Sequence, residues 1–227
     1  MNNTLDTIFG DITQNEEINT YLRFADIKYQ SLGRKEHGQS HAAFASYIAG
    51  KVLKELGYSA RQQRLAQIAA YMHDIGSVIN TRDHERSGAM IAFNMLNSLK
   101  TAADEADILS IINAIGSHED KHVMPRNHIT AAVILGDKCD VRFERMRGAD
   151  GATISDKHAK VVAACRGVDL QIFKKARTIS LHLDINQEIC SVMDYFEIFL
   201  SRTLFCQKAS LALACEFELY INKDKFL

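Results

Sequence analysis

The chain has 227 residues, 47% hydrophobic and 24% charged, which is close to globular averages, excludes global disorder and predicts one sizeable core with an appendage. Its 27 Lys and Arg against 28 Asp and Glu leave a net charge of -1, so the general attraction to a polyanion that drives nonspecific nucleic-acid binding is excluded. One proline and 12 glycines are too few turn-formers for a many-stranded sandwich or barrel, and a mainly α protein is expected.

The first 22 residues contain no Lys or Arg, and apolar runs such as 131–135 fall far short of the ~20 residues that cross a bilayer, so neither a signal peptide nor a membrane span is expected. Five cysteines (Cys139, Cys165, Cys190, Cys206, Cys215) are odd in number and contain no CxxC pair. This is neither a disulfide framework nor a zinc ribbon, and it fits a reducing cytoplasm.

In chain order, Thr13 and Glu16 suggest a capping box for an N-terminal helix with Ile18, Tyr21, Leu22 and Ala25 on one stripe and Gly33 as its stop. Ala45, Ile48, Val52 and Leu56 mark a second helix ending at Gly57. Ser59 and Gln62 form a capping box before Leu65, Ala69 and Met72. Three more follow: Gly88, Ile91 and Met95; then, after Thr101, Ile108, Ile111, Ile112 and Ile115; then, after Pro125, Ile129, Val133 and Gly136. Five consecutive helices therefore form the centre of the chain.

Each central stripe is extended by a polar residue. His41 precedes Ala45 by four, His73 follows Ala69 by four, His84 precedes Gly88 by four, His118 follows Ile115 by three, Asp137 follows Val133 by four, and Asp74 adjoins His73. A lone inward histidine is more often a hydrogen-bonded core residue than a ligand. Six converging ligand-type residues are different, because burying them uncompensated costs about 1 to 3 kcal/mol for each polar group and more for a charge. A cation removes that penalty. Imidazole and carboxylate donors suit one or two divalent first-row transition metals (Fe, Mn, Ni, Co or Zn) rather than calcium or a structural zinc.

His41, led by HGQSH at 37–41, then His73-Asp74 in MHDIG and Asp137 in LGDKCD, form an ordered set that resembles the HD-domain metal-dependent phosphohydrolase superfamily over roughly residues 34–150. With His84 in HERSGA and His118 in IGSHED the set is similar to members that bind two metals, including bacterial diadenosine tetraphosphate hydrolases and cyclic dinucleotide phosphodiesterases. The resemblance implies that His41, His73, Asp74 and Asp137 hold one metal, that Asp74 bridges to a second held by His84 and His118, and that His73 and Asp74 act in catalysis. It implies a small phosphorylated substrate, such as a nucleotide, attacked by metal-activated water. Many relatives read HDIGK, with a lysine at the position that Ser77 occupies here. Lys138, Arg142 and Arg145, read as one helical face, are candidates to replace that cation, Lys138 and Arg142 foremost; the alternative is a solvated basic face paired with Asp140 and Glu144. Arg82 and Arg86 are further candidates. His37 is read as a helix cap or a residue orienting a ligand, and His122, His128, His158 and His182 as surface or structural.

HEDKH at 118–122 fits the HExxH zinc-protease pattern, but its charged interior and the nearby Pro125 argue against a buried zincin helix. Phosphate loops and nucleophile elbows are absent. Beyond residue 150, Ile179, Leu181, Leu183 and Ile185 alternate as a strand, a helix runs from about Gln187 to Ala214, and Phe217, Leu219 and Ile221 give a second strand. This β-α-β appendage (151–227) joins an N-terminal helix (1–33) and a metal-binding core (34–150). Its helix, apolar on more than one face, packs on the core or on a second subunit in a homodimer. Two rivals to hydrolysis are a catalytically weak regulatory module, suggested by Ser77, and an HD-type di-iron oxygenase, suggested by the same donor set.

Overall fold

The computed structural model describes residues 4–32, 34–99, 103–120, 124–146 and 157–227; Gly33, Thr101 and His122 lie outside them. The five expected central helices are α3 (Gln39–Leu56), α4 (Ala60–Met72), α5 (His84–Ser98), α6 (Glu105–Ser117) and α7 (His128–Lys138), preceded by α1 (Thr4–Gln14) and α2 (Glu16–Ser31). A 3-10 turn (Ile75–Val78) links α4 to α5, and a second (Phe143–Arg145) follows α7. Helix α3 packs between α4 and α7, and α5 pairs with α6, burying Ala45, Val52, Leu53, Ile68, Met72, Ile111, Ile115 and Val133 in one core.

The Ser59–Gln62 capping box is present. The one expected from Thr13 and Glu16 is not: the Thr13 hydroxyl donates back to the carbonyls of Phe9 and Gly10 at 3.0 and 3.1 Å, and Asn15 caps α2 by accepting from the Ile18 amide. The chain turns there, so one expected helix is two.

The mainly α fold with a small C-terminal α/β unit is as expected. Its β-α-β core is β2 (Thr178–Ile185), α9 (Val192–Ala212) and β3 (Glu216–Ile221), with β2 and β3 parallel from Thr178↔Glu216 to Leu183↔Ile221. A short helix α8 (Lys157–Ala164), an antiparallel edge strand β1 (Cys165–Phe173) and the two-residue β4 (Asp224–Lys225) extend it to a four-stranded sheet in the order β1-β2-β3-β4. The strand β4 returns through Asn222 and Lys223, both at positive φ, as a tight hairpin demands. Helix α9 lies on α7 and covers the core. Among the described residues no helix is long and apolar enough to cross a membrane, and all five cysteines are buried thiols.

Candidate metal centre

The six residues singled out by the stripes meet where helix ends converge. His41 lies in the first turn of α3, His73 ends α4 with Asp74 after it, His84 opens α5, His118 ends α6, and Asp137 is the penultimate residue of α7. All six are buried. Two glycines allow the approach. A Cβ on Gly136 would stand 2.4 Å from the Ala45 carbonyl oxygen, so only glycine lets α7 bring Asp137 this close to α3; a Cβ on Gly76 would stand 2.0 Å from the His84 carbonyl oxygen.

Every imidazole is fixed through Nδ1. His73 faces the Ala70 carbonyl at 2.7 Å, His118 that of Ile115 at 2.6 Å and His84 that of Thr81 at 3.3 Å, while His41 faces the Asp140 carboxylate at 2.7 Å. A carbonyl only accepts, so Nδ1 carries the proton and a neutral ring turns its Nε2 lone pair inward. The inward atoms crowd. Asp74 Oδ2 lies 3.6 Å from His41 Nε2 and 3.3 Å from His73 Nε2, and Asp137 Oδ1 is 3.4 and 3.9 Å from the same two nitrogens. The second Asp74 oxygen, Oδ1, is 3.1 Å from His84 Nε2, which stands 3.2 Å from His118 Nε2. His41 Nε2, His73 Nε2 and Asp74 Oδ2 are buried without a hydrogen-bond partner among the described residues.

This donor set fits a metal. Ligands about 2.0 to 2.2 Å from one ion stand roughly 3 to 3.5 Å from each other, close to most of the separations above, and three groups of donors have their ligand atoms within 4.8 Å of one another: His41, His73 and Asp74; His73, His118 and Asp137; Asp74, His84 and His118. Asp74 turns one oxygen to each side. Electrostatics agree: burial would push the Asp74 carboxyl up, yet His73 and His84 hold it well below the usual carboxylate range. Burial likewise opposes a charge on His73, but Asp74 and Asp137 raise it to about 9, whereas burial beside His73 and His84 lowers His118 to about 3. Asp74 and Asp137 thus draw positive charge toward His73, while burial keeps His118 neutral.

The surrounding cations are not arranged as the sequence suggested. Helix α7 ends at Lys138, so Lys138, Arg142 and Arg145 share no helical face. Lys138 is buried, with Nζ 2.5 Å from Asp137 Oδ2 and bonded to Glu119. Arg142 forks onto Asp140 through Nε and Nη2 at 2.7 and 3.1 Å. Arg145, with no exposed surface, donates to the carbonyls of Glu36 and Asp140. None of the three lines the cleft above the cluster; α7 stops too early, and buried carboxylates hold the first two. Asp140 was missed as an orienting group: Arg145, His41 and Arg142 keep its carboxyl well below its ordinary range against the effect of burial.

That cleft, about 1330 Å³, opens over His84 and Glu119 and is lined by Arg34, Lys35, Arg82, Arg86 and Arg202 among other residues. Ser77 lies wholly buried beneath it, its hydroxyl 3.1 Å from that of Tyr29. His37 does not cap α3, whose N-cap is Gly38; it stacks on Tyr29 with ring centroids 3.9 Å apart, and the Glu36 carboxylate accepts from the amides of Gly38 and His41. His128 stacks on Tyr58 and His182 on Tyr220, away from the cluster. His158 lines the cleft against Phe199. Arg202, on α9, went unnoticed because its helix lies outside the stretch that carries the motifs.

The chain is 24% identical over 184 residues to the uncharacterized protein MJ1020 of Methanocaldococcus jannaschii, which covers 72% of this chain and 71% of that protein. The family model of the HD domain matches residues 34–197, a span that holds all six clustered residues. With most of the chain matched and the histidine and aspartate donors gathered at one point, this protein belongs to the HD-domain metal-dependent phosphohydrolase superfamily.

Proposed function

We propose that the protein is a metal-dependent phosphohydrolase that cleaves a small phosphoester, a nucleotide being the expected class, with His41, His73, Asp74 and Asp137 holding one divalent first-row ion and Asp74, His84 and His118 a second. The observation that carries this reading is the set of buried atoms, His41 Nε2, His73 Nε2 and Asp74 Oδ2, turned toward one point without a hydrogen-bond partner among the described residues. Bound there, such ions supply an activated water and neutralise charge on the phosphoryl oxygens. The chain's own residues do the orienting: Asp140 and three backbone carbonyls hold the imidazoles in the ligating tautomer. Lys138 holds Asp137 and Glu119 in place. The cleft is large enough for a nucleotide, since small-molecule sites commonly run about 300 to 1,000 Å³.

A second reading, a catalytically weak ligand-binding module, is favoured by the buried Ser77 under Tyr29, which offers no charge to a phosphate. The test is to strip the protein with a chelator, reload it with Mn, Fe, Co, Ni or Zn, and assay phosphomonoesters, pyrophosphate-linked dinucleotides and cyclic dinucleotides. Metal-dependent hydrolysis is expected, read as free phosphate from the monoesters and as nucleotide products from the two dinucleotide classes. Full metal occupancy with no turnover favours the module, occupancy with oxygen consumption an oxygenase, and absence of any metal uptake refutes the site.

A further inference from the structure

Arg202 belongs to α9, beyond the 34–197 stretch matched by the HD-domain model. Five cations line the cleft, and most are committed or remote. The Arg34 guanidinium lies over the Tyr29 ring at 5.8 Å. Lys35 donates to the Asp140 carbonyl at 3.0 Å and faces the Phe199 ring. Arg86 is 80% exposed at the rim beside Glu85, and Arg82 sits in the bend before α5. Among the described residues, Arg202 is the one cation that both lines the cleft and reaches the donor cluster, through Nη2 at 3.5 Å from Asp137 Oδ1.

That bond is long and shared, because the same oxygen faces His41 and His73. The side chain is 19% exposed, its guanidinium lies 5.6 Å from the Phe199 ring centroid, and Nη1 is buried with no acceptor among the described residues. A planar fork of five N–H donors, with those on Nη1 unmet among the described residues and fixed beside a candidate metal ligand, matches two oxygens of a tetrahedral anion better than it matches one carboxylate oxygen at 3.5 Å. We propose that Arg202 binds the phosphoryl group of the substrate, so that the C-terminal unit supplies the recognition cation of a site otherwise built by the helical core. This rests on the phosphohydrolase reading. It assigns α9 a chemical task besides covering α7: the guanidinium balances oxygens that gain negative charge density as phosphorus is attacked.

The test is calorimetric titration of manganese-loaded, full-length protein with inorganic phosphate, with manganese content measured on the same samples. Arg202→Met keeps the stem against Phe199 but removes the fork; it is expected to weaken phosphate binding about ten- to hundredfold at unchanged manganese content. Arg202→Lys is expected to recover part of the loss. Wild-type phosphate affinity in Arg202→Met overturns the assignment while the metal site stands. Loss of manganese together with phosphate overturns it too, since Arg202 would then only position Asp137. Wild-type protein that holds manganese yet takes up no phosphate overturns the phosphohydrolase reading itself. Should Arg202→Met fail to fold, Arg202→Lys decides: weakened affinity supports the assignment and unchanged affinity refutes it.

Discussion

Asp140 is not in the donor cluster, yet replacing it tests the logic of the site most directly. Its carboxylate, wholly buried, faces His41 Nδ1 at 2.7 Å, accepts from Arg142 at 2.7 and 3.1 Å, and lies 3.6 Å from Arg145 Nη1. Asp140→Asn keeps the shape and removes the charge. The amide accepts from His41 only through its one oxygen, which turns its NH2 toward Arg142, donor against donor. Losing a carboxylate behind a ligating imidazole typically weakens metal binding about 10- to 100-fold. Leaving a buried charge unpaired costs about 3 to 5 kcal/mol at most, but Arg145 keeps its backbone carbonyls and Arg142 is 22% exposed. A loss of about 2 to 3 kcal/mol then lowers Tm by roughly 5 to 10 °C for a chain of this size. Metal affinity is read by competition with a chromogenic chelator, and stability by thermal denaturation of metal-free protein. A folded variant whose affinity stays within about twofold of wild type would show that the Asp140 charge behind His41 does not strengthen it as a ligand.

Three further outcomes are expected. Asp74→Ala removes a carboxylate that faces both halves of the cluster and should lose more metal than His84→Ala or His118→Ala; equal losses in elemental analysis contradict the bridging role. Gly136→Ala drives a methyl into the Ala45 carbonyl, and such overpacking costs about 1 to 3 kcal/mol; a lower Tm and weaker metal binding should appear together, because Asp137 is the next residue. Asp194, in the capping box that starts α9, is held down to about 2 by the Ser191 hydroxyl and Lys157. A depressed carboxyl stabilises the folded state above its unfolded pKa of about 3.9 and loses that effect as pH falls through its folded value. Asp194→Asn should therefore lower Tm at neutral pH, and the gap from wild type should narrow between pH 4 and 2; a gap that stays constant contradicts this.

The central helices and the six clustered residues were legible because one physical constraint writes both: a buried face repeats every three to four residues, and a ligating residue extends that face to the helix end. His41, His73, His84, His118 and Asp137 each stand on such a stripe. Ser59 and Gln62 were legible for a local reason too, since a capping box is complete within four residues. What escaped depends on distance. Nothing within one turn shows that α7 stops at Lys138, and continuing its period to Arg142 and Arg145 placed two structural arginines on a face that does not exist. Asp140 meets His41 across 99 residues. Arg202 reaches Asp137 across 65. Strand β1 hid because Arg166 and Gly167 interrupt it and Leu170 is the main side chain it buries beyond Cys165.

Three of the four imidazoles face the carbonyl three residues before them: His73 that of Ala70, His84 that of Thr81, His118 that of Ile115. Each ring is thus restrained by its own turn of backbone before any ion arrives, and the rotamer entropy of about 0.5 to 1.5 kcal/mol for ordering such a side chain is lost during folding rather than on binding. Uptake then requires dehydration of the ion, loss of the proton that Asp74 and Asp137 favour on His73, and passage down the cleft, with no rearrangement of the helices. Amide exchange in α4 and α6 should accordingly look the same with and without metal, apart from the stability that binding adds uniformly through mass action.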